Sequence, residues 1–360
     1  MASQQPLRRV GLDEEIVRLM ASDGLVTVGD LFSRTELQLV QSLNRARPEV
    51  DRILGKVAAR VAPDTKTAAD LLRERREAGS NFFVATGMAT IDDSLQGGFP
   101  TGMITELVGP AGIGKTQACL MMAAQAALPA SSGGLGEDSG VIYFDTERKF
   151  SVDRLMEIAS TRFPDRYGHE APPSGLARLL DQVTVYTIDT SSALLARLES
   201  LQARIIEENV RLIVLDSVAA LARRDFARED TIKRQEVVTR QAAVLKSLAY
   251  TFSVVVLVTN QVTTSFSPAS AHGSLQGIAS HTNSSSRTAD STFQTEVSGG
   301  RGGSYIIPAL GNTWHHCVSN RLIMEQHEGY REMHLTKSPL APRVSCRFIV
   351  QDTGLEEVRV

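Results

Sequence analysis

Cysteine is scarce and badly placed for chemistry. Only Cys119, Cys317 and Cys346 occur, far apart and without a C-x-x-C pair, so neither a zinc module nor a disulfide framework is indicated, and a reducing compartment fits. Basic charge is not in excess either. With 38 Lys and Arg against 41 Asp and Glu, the formal net charge is -3, and any nucleic-acid contact has to come from local patches or loops. Long apolar runs are missing: no segment reaches the ~18 residues of a membrane span. The opening MASQQPLRRVGLDEE has no apolar h-region. These absences predict a soluble, intracellular chain without a membrane partner. What is present suffices for a core: 360 residues, 42% hydrophobic, allow one large core or one core plus a small satellite.

The pattern divides the chain. Residues 1–62 carry apolar positions at three- and four-residue spacing in EEIVRLM, LVTVGDLF, ELQLVQSL and EVDRILGKVAARVA, broken at Gly24 and Pro48, which predicts a small helical domain. Residues 63–81 turn polar and charged, with a short helix around AADLLRERRE, and read as a connector. From 82 to 360, apolar β-branched runs (MITELV, GVIYFD, VTVYT, RLIVLD, SVVVLVTN) alternate with helical patterns over 116–128, 152–160, 193–207 and 237–250. Such alternation predicts an α/β fold with a parallel sheet covered on both faces. NRLIMEQ, REMHLTK and VSCRFIV have no helix between them and predict antiparallel strands along one edge. Residues 262–304 are dominated by Ser, Thr and Gly and predict a long flexible loop, functional or disordered.

One stretch carries specific chemistry. Gly109-Pro110-Ala111-Gly112-Ile113-Gly114-Lys115-Thr116, followed by Gln117, matches G-x-x-x-x-G-K-[ST] between a strand and a helix. In that context the loop amides wrap the phosphates of a nucleoside triphosphate, Lys115 reaches the β and γ oxygens, and Thr116 offers a hydroxyl to Mg²⁺. A second acidic residue at a neighbouring strand end supports the metal, and RLIVLDS offers Asp216, or else a helix cap. VIYFDTE supplies Asp145 and Glu147 to orient an attacking water, or to cap the helix from Ser151. VVVLVTNQV ends in Asn260 and Gln261, which either sense the γ-phosphate or satisfy loop backbone.

A basic segment follows Leu221. Arg223, Arg224, Arg228, Lys233, Arg234 and Arg240 surround Phe226, a set suited to single-stranded DNA or to a solvated, salt-bridged helix start. The Ser/Thr/Gly stretch adds Arg287, Arg301, Phe266 and Phe293.

Taken in order, TGMATIDDSLQGGFPTGMITELVGPAGIGKTQ, DTERKFSVDRL, LIVLDSVAAL, VLVTNQVT and ALGNTWHHCVSNRL resemble the RecA-type strand-exchange recombinases in their eukaryotic and archaeal branch, over nearly the whole chain. The resemblance implies a RecA-like ATPase core behind a helix-hairpin-helix-like domain, using ATP and Mg²⁺ in nuclear homologous-recombination repair. It implies single-stranded and branched DNA, other recombinase paralogues, chiefly the C paralogue, and the main recombinase filament as partners. Carried over by position, it gives catalytic roles to Lys115, to Glu147 as the group polarising water, and to Gln261 as the γ-phosphate sensor. Asp216 supports the metal through water. Arg223, Arg224, Phe226 and Arg228 fall in the family's first DNA loop, and Arg287 and Arg301 in its second. Lys337 and Pro339 fall in the cap over a neighbour's ATP, where Lys337 stands in for a bound cation.

The chain departs from the family pattern at four places. TKTA, Thr65 to Ala68, lacks the phenylalanine of the filament-building plug, which counts against self-polymerisation through it. DTEGTF reads DTERKF, placing Arg148 and Lys149 after Glu147, and DSP reads Lys337-Ser338-Pro339. SLNRARPEV lacks the glycine of the usual hairpin turn, leaving DNA contact by the first domain open. Two other readings stand beside an ATPase. One is an idle assembly module in which nucleotide only staples subunits together. The other is a small-molecule kinase, against which the neutral Ser/Thr loop argues.

Overall fold

Runs such as GVIYFD lack the polar alternation of a one-sided sheet because both faces of these strands are covered. The computed structural model describes residues 5–62, 65–77, 82–172, 174–226, 230–266, 295–296, 304–308 and 310–358. These residues divide between two compact units, 1–77 and 78–360.

The first unit holds α1 (Glu14–Ser22), α2 (Val28–Ser33), α3 (Glu36–Leu43), α4 (Arg47–Val61) and α5 (Ala68–Glu77). Residues Leu31, Leu39, Val50 and Val57 lie buried at its centre. Thr27 with Asp30, and Thr35 with Gln38, form capping boxes that satisfy the first amides of α2 and α3. Between α3 and α4 the missing hairpin glycine is replaced by Asn44, which takes the left-handed conformation itself at φ +47°, as asparagine tolerates better than most residues. Pro48 does not break a helix; it sits in the first turn of α4, where no amide partner is lost. α5 lies within the expected connector.

The second unit begins with β1 (Phe83–Val84), α6 (Ala89–Ser94), β2 (Phe99–Pro100), β3 (Ile104–Val108), α7 (Lys115–Ala126) and β4 (Gly140–Asp145). Next come α8 (Val152–Arg162), α9 (Pro164–Tyr167), α10 (Ser174–Gln182), β5 (Val183–Thr187), α11 (Ser191–Glu199), α12 (Leu201–Glu207) and β6 (Val210–Asp216). They are followed by α13 (Val218–Asp225), α14 (Thr231–Phe252), β7 (Val255–Asn260), β8 (Val262–Phe266), β9 (Thr295–Glu296) and β10 (Ser304–Pro308). The chain closes with α15 (Gly311–Cys317), β11 (Asn320–His327), β12 (Tyr330–Lys337), β13 (Val344–Gln351) and β14 (Gly354–Val358).

The main sheet runs β14-β13-β12-β11-β3-β7-β6-β4-β5. β11 is parallel to β3, while β12, β13 and β14 add antiparallel, so the expected α/β class and antiparallel edge hold. Alternate residues face opposite layers: Val141, Tyr143, Leu212 and Val214 pack with α7 and α8. Ile142, Phe144, Ile213 and Leu215 pack with α11 to α15. Each such buried side chain contributes ~1.5–3 kcal/mol.

Three sequence expectations change. The helix over 193–207 breaks at Ser200 into α11 and α12. β14 is too short and charged, GLEEV, to stand out locally, and exists through a tight turn from β13. The flexible loop expected over 262–304 does not begin at 262. Val262–Phe266 forms β8, pairing antiparallel with Ser304–Pro308, because Val, Thr, Ile and Tyr suit extended backbone once a distant partner arrives. The rest of that loop, 267–294 and 297–303, lies outside the described residues.

Candidate active site

Parallel strands end on one side of the sheet, so the loops after β3, β4, β6 and β7 converge there. Register sets them side by side: Asp145 stands opposite Asp216, and Val108 opposite Asn260.

The loop after β3 is shaped by its glycines. Gly112 has φ +77° and Gly114 +121°, and a Cβ on Gly109 would lie 2.8 Å from the Met324 carbonyl oxygen. A Cβ at Gly112 meets no protein atom within 4 Å, so this is the loop's open side. Lys115 Nζ donates to the carbonyls of Gly109 and Pro110 at 2.7 and 2.8 Å. Burial pulls its pKa below the ordinary lysine value, opposed by the charges of Asp216 and Glu147.

Thr116 Oγ1 donates to Asp216 Oδ2 at 2.7 Å. Tyr143 OH donates to the same oxygen at 3.0 Å, and Thr259 Oγ1 to the other. The carboxylate is thereby fixed beside the first turn of α7. A hydroxyl and a carboxylate at a helix N-terminus are hard oxygen donors of the kind Mg²⁺ takes, and the glycine-lined loop fits a phosphate chain.

Glu147 faces the same space. Its Oε1 accepts from Ser217 Oγ at 2.8 Å and Gln261 Nε2 at 3.1 Å, and its Oε2 from Lys149 Nζ. Burial pushes its pKa up, but the bonds from Lys149, Ser217 and Gln261 outweigh this and hold it below the ordinary value. Asp145, the other acid in VIYFDTE, is taken up by the backbone amides of Glu147, Lys149 and Phe150. It shapes the turn. The same turn holds Arg148 at φ +57°, where the family pattern has glycine, at a strain of ~1–2 kcal/mol. Asn260, the other half of the polar pair, is buried and donates to Glu106 Oε1 at 2.8 Å.

Together these groups enclose a cleft of about 340 Å³ lined by Ala111, Gly112, Gly114, Lys115, Thr116, Gln117, Glu147, Lys149, Asp216 and Gln261. Gln117 is held from the side by Arg154 Nε at 2.7 Å. Ile113 is buried in the core, and like Gly109 and Pro110 it is not among the lining residues. Sequence reasoning missed Tyr143, Ser217 and Thr259; the period-two position of Tyr143, two before Asp145, was the available signal.

A second cleft of about 460 Å³ also has Glu147 in its wall, with Thr146, Arg148, Ala220, Arg223 and Arg224. Arg224 also donates to the Thr146 carbonyl at 2.9 Å. Phe226 is half-buried at the end of α13 and does not line it. Arg228, Arg287 and Arg301 lie outside the described residues. Lys337 is away from both clefts: its Nζ donates to the carbonyls of His315 and Val318 at 2.6 and 2.8 Å, closing the end of α15. Pro339 beyond it is exposed.

Residues 78–279 match the Rad51 family, and residues 7–61 the XRCC3/RpoA-like, helix-hairpin-helix domain. The chain is similar to "DNA repair protein RAD51 homolog 2" of Homo sapiens, 35% identical over 97% of this chain and 88% of that protein. The protein of the same name from Mus musculus is 36% identical over 98% and 97%, and that of Arabidopsis thaliana 29% over 96% and 89%.

Proposed function

The chain belongs to the Rad51 family, and from that premise we propose that it is an ATP-hydrolysing subunit of a recombinase-paralogue complex. It serves homologous-recombination repair of DNA double-strand breaks in the nucleus, helping the main recombinase load on single-stranded DNA. Its partners are other recombinase paralogues, chiefly the C paralogue, with the recombinase filament and branched DNA. The repair role accords with the names of its relatives. The observation that carries the catalytic part is the Glu147 carboxylate, which shares one cleft with Lys115, Thr116, Asp216 and Gln261.

Bound ATP and Mg²⁺ supply the γ-phosphoryl group and the neutralisation of its charge. With nucleotide bound, Lys115, now on the carbonyls of Gly109 and Pro110, would serve the phosphate oxygens, and Thr116 and Asp216 would hold the metal, the latter through water. Glu147 positions a water and accepts its proton. Gln261 bonds Glu147 and directly precedes β8, so it ties the cleft to the segment that follows. DNA is bound by the basic residues Arg223 and Arg224, with Phe226 beside them and the arginine-lined cleft next to Glu147 as its nearest approach; Arg228, Arg287 and Arg301 are assigned to the same role from the sequence alone. Lys337 and Pro339 form the cap toward a neighbouring subunit, where Lys337 adds fixed positive charge at the end of α15.

The ion pair between Lys149 and Glu147 favours one second reading, the idle stapling module, because an ammonium on the base weakens it. Lys149→Ala separates the two. Removing the ammonium raises the Glu147 pKa, so the acid limb of the kcat/KM profile moves to higher pH and turnover at neutral pH rises several-fold. An unmoved acid limb contradicts Glu147 as the base. The stability sign follows from the same shift: a carboxyl depressed below its ordinary 4.5 stabilises the fold above that value and ceases to as pH falls through its folded pKa.

A further inference from the structure

The hairpin of β11 and β12 carries four donors that the active site does not use. β11 presents Glu325 and His327, β12 presents Glu332 and His334, and Glu325 stands directly opposite Glu332. Spacing of two in each strand puts all four on one face of the sheet. Leu322, Met324, Met333 and Leu335, on the opposite face, belong to the core.

The distances are short and even. His327 Nε2 lies 3.6 Å from Glu325 Oε2 and 3.6 Å from Glu332 Oε2, and His334 Nε2 lies 3.7 Å from each of the same two atoms. Both imidazole Nε2 atoms and Glu325 Oε1 are buried with no partner within ordinary hydrogen-bond distance, although the pull of Glu325 and then Glu332 raises the His334 pKa above its ordinary value against the burial that lowers it. The Glu325 side chain is 8% exposed. Buried polar atoms are nearly always satisfied, and like charges directly opposite on adjacent strands repel. One cation between the strands answers both costs.

We propose that Glu325, His327 and His334, whose donor atoms all lie within 4.8 Å of one another, bind one Zn²⁺ ion, with Glu332, beside both imidazoles, turning in as the fourth donor. Zinc bonds of ~2.0–2.2 Å to nitrogen and oxygen in a tetrahedron set neighbouring donors about 3.3–3.6 Å apart; the nitrogen–oxygen spacings have to close by only a few tenths of an ångström, and the Glu325, His327 and His334 donors, within 4.8 Å of one another, draw together around the ion. Two imidazoles and two carboxylates form a borderline donor set that suits zinc better than Ca²⁺ or Mg²⁺. The donors are pre-arranged: the turn between His327 and Tyr330 has two residues, with Gly329 at φ +83°, and the His327 ring stacks on Tyr330 at 4.7 Å. The scarcity of cysteine therefore says nothing against zinc here. The ion staples β11, which pairs with the phosphate-loop strand β3, to the antiparallel edge.

The test titrates the full chain, stripped of metal, with Zn²⁺ alone against a competing chromophoric chelator, and repeats it with Co²⁺ to read coordination geometry. The expected result is one Zn²⁺ per chain, the intense visible absorption of tetrahedral Co²⁺, and a melting temperature that rises with zinc. The double variant His327→Ala/His334→Ala loses more than about a hundredfold in affinity, beyond the ~10–100-fold of a lost outer-shell contact. Glu332→Gln, a conservative change on the wetter strand, weakens binding without unfolding the chain. ATP affinity, measured alongside, stays unchanged in these variants. Absence of stoichiometric uptake by the unmodified chain overturns the proposal. So does equal uptake by the double variant, which would leave the four groups as ordinary imidazole–carboxylate pairs.

Discussion

Glu106→Ala lowers the stability of the chain by ~3–5 kcal/mol, the cost of leaving a buried charge unpaired. Glu106 lies in β3 and is fully buried. It accepts from Arg321 Nε at 2.6 Å, Trp314 Nε1 at 2.7 Å and Asn260 Nδ2 at 2.8 Å, joining β3 to β7, β11 and α15. The Arg321 side chain is only 4% exposed, so its guanidinium has no water to turn to. His315, beside it, cannot share the charge: burial, and then Arg321 and Lys337, push its pKa down to about 4. Since a whole domain is stable by ~5–15 kcal/mol, the loss shows as a large drop in the urea midpoint with an unchanged slope. Arg321→Met in the Glu106→Leu background recovers only the part due to the unpaired charge, because Trp314 Nε1 and Asn260 Nδ2 still lose their buried acceptor. A change under ~1 kcal/mol for Glu106→Ala contradicts this. The network also fixes the end of β7, where Asn260 precedes Gln261, so its loss loosens the wall of the cleft as well.

Lys115→Ala weakens ATP binding by ~1.5–3 kcal/mol, the range for a hydrogen bond to a charged group, or roughly ten- to a hundredfold in Kd. The fold barely changes, because the bonds Lys115 makes without nucleotide go to carbonyls of its own loop. The measurement is nucleotide binding by the full chain, with the unfolding midpoint as control. An unchanged affinity at an unchanged midpoint removes the cleft as the nucleotide site.

The phosphate loop is legible in sequence because it is local: eight consecutive residues specify the turn, the charge and the hydroxyl. Asp216 is legible for a different reason, since it ends an apolar strand, although 100 residues separate it from Thr116. Glu106 is not legible. It reads as one charge inside a strand, and its partners at 260, 314 and 321 arrive only when β3 is inserted between β7 and β11. Lys337 takes its expected role from the family pattern, and the bonds of its ammonium to the carbonyls of His315 and Val318 are legible only in the fold. The separation of Asp145 from Glu147, one building the turn and the other facing the cleft, follows from which backbone amides the turn leaves unpaired. β8 was hidden because its strand partner lies 38 residues on, from Phe266 to Ser304. The hairpin donors stand in the sequence as E-x-H and E-x-H around a Glu-Gly turn, a spacing without meaning until register sets the two pairs on adjacent strands.

The most direct measurement is steady-state ATP hydrolysis by the full chain, alone and with the C paralogue, each with and without single-stranded DNA, with Glu147→Gln in parallel. The account predicts turnover that DNA stimulates and that falls ~10²–10⁴-fold in Glu147→Gln, as for loss of a general base, while that variant still binds ATP. Nucleotide bound without turnover in any mixture, or turnover undiminished in Glu147→Gln, contradicts it.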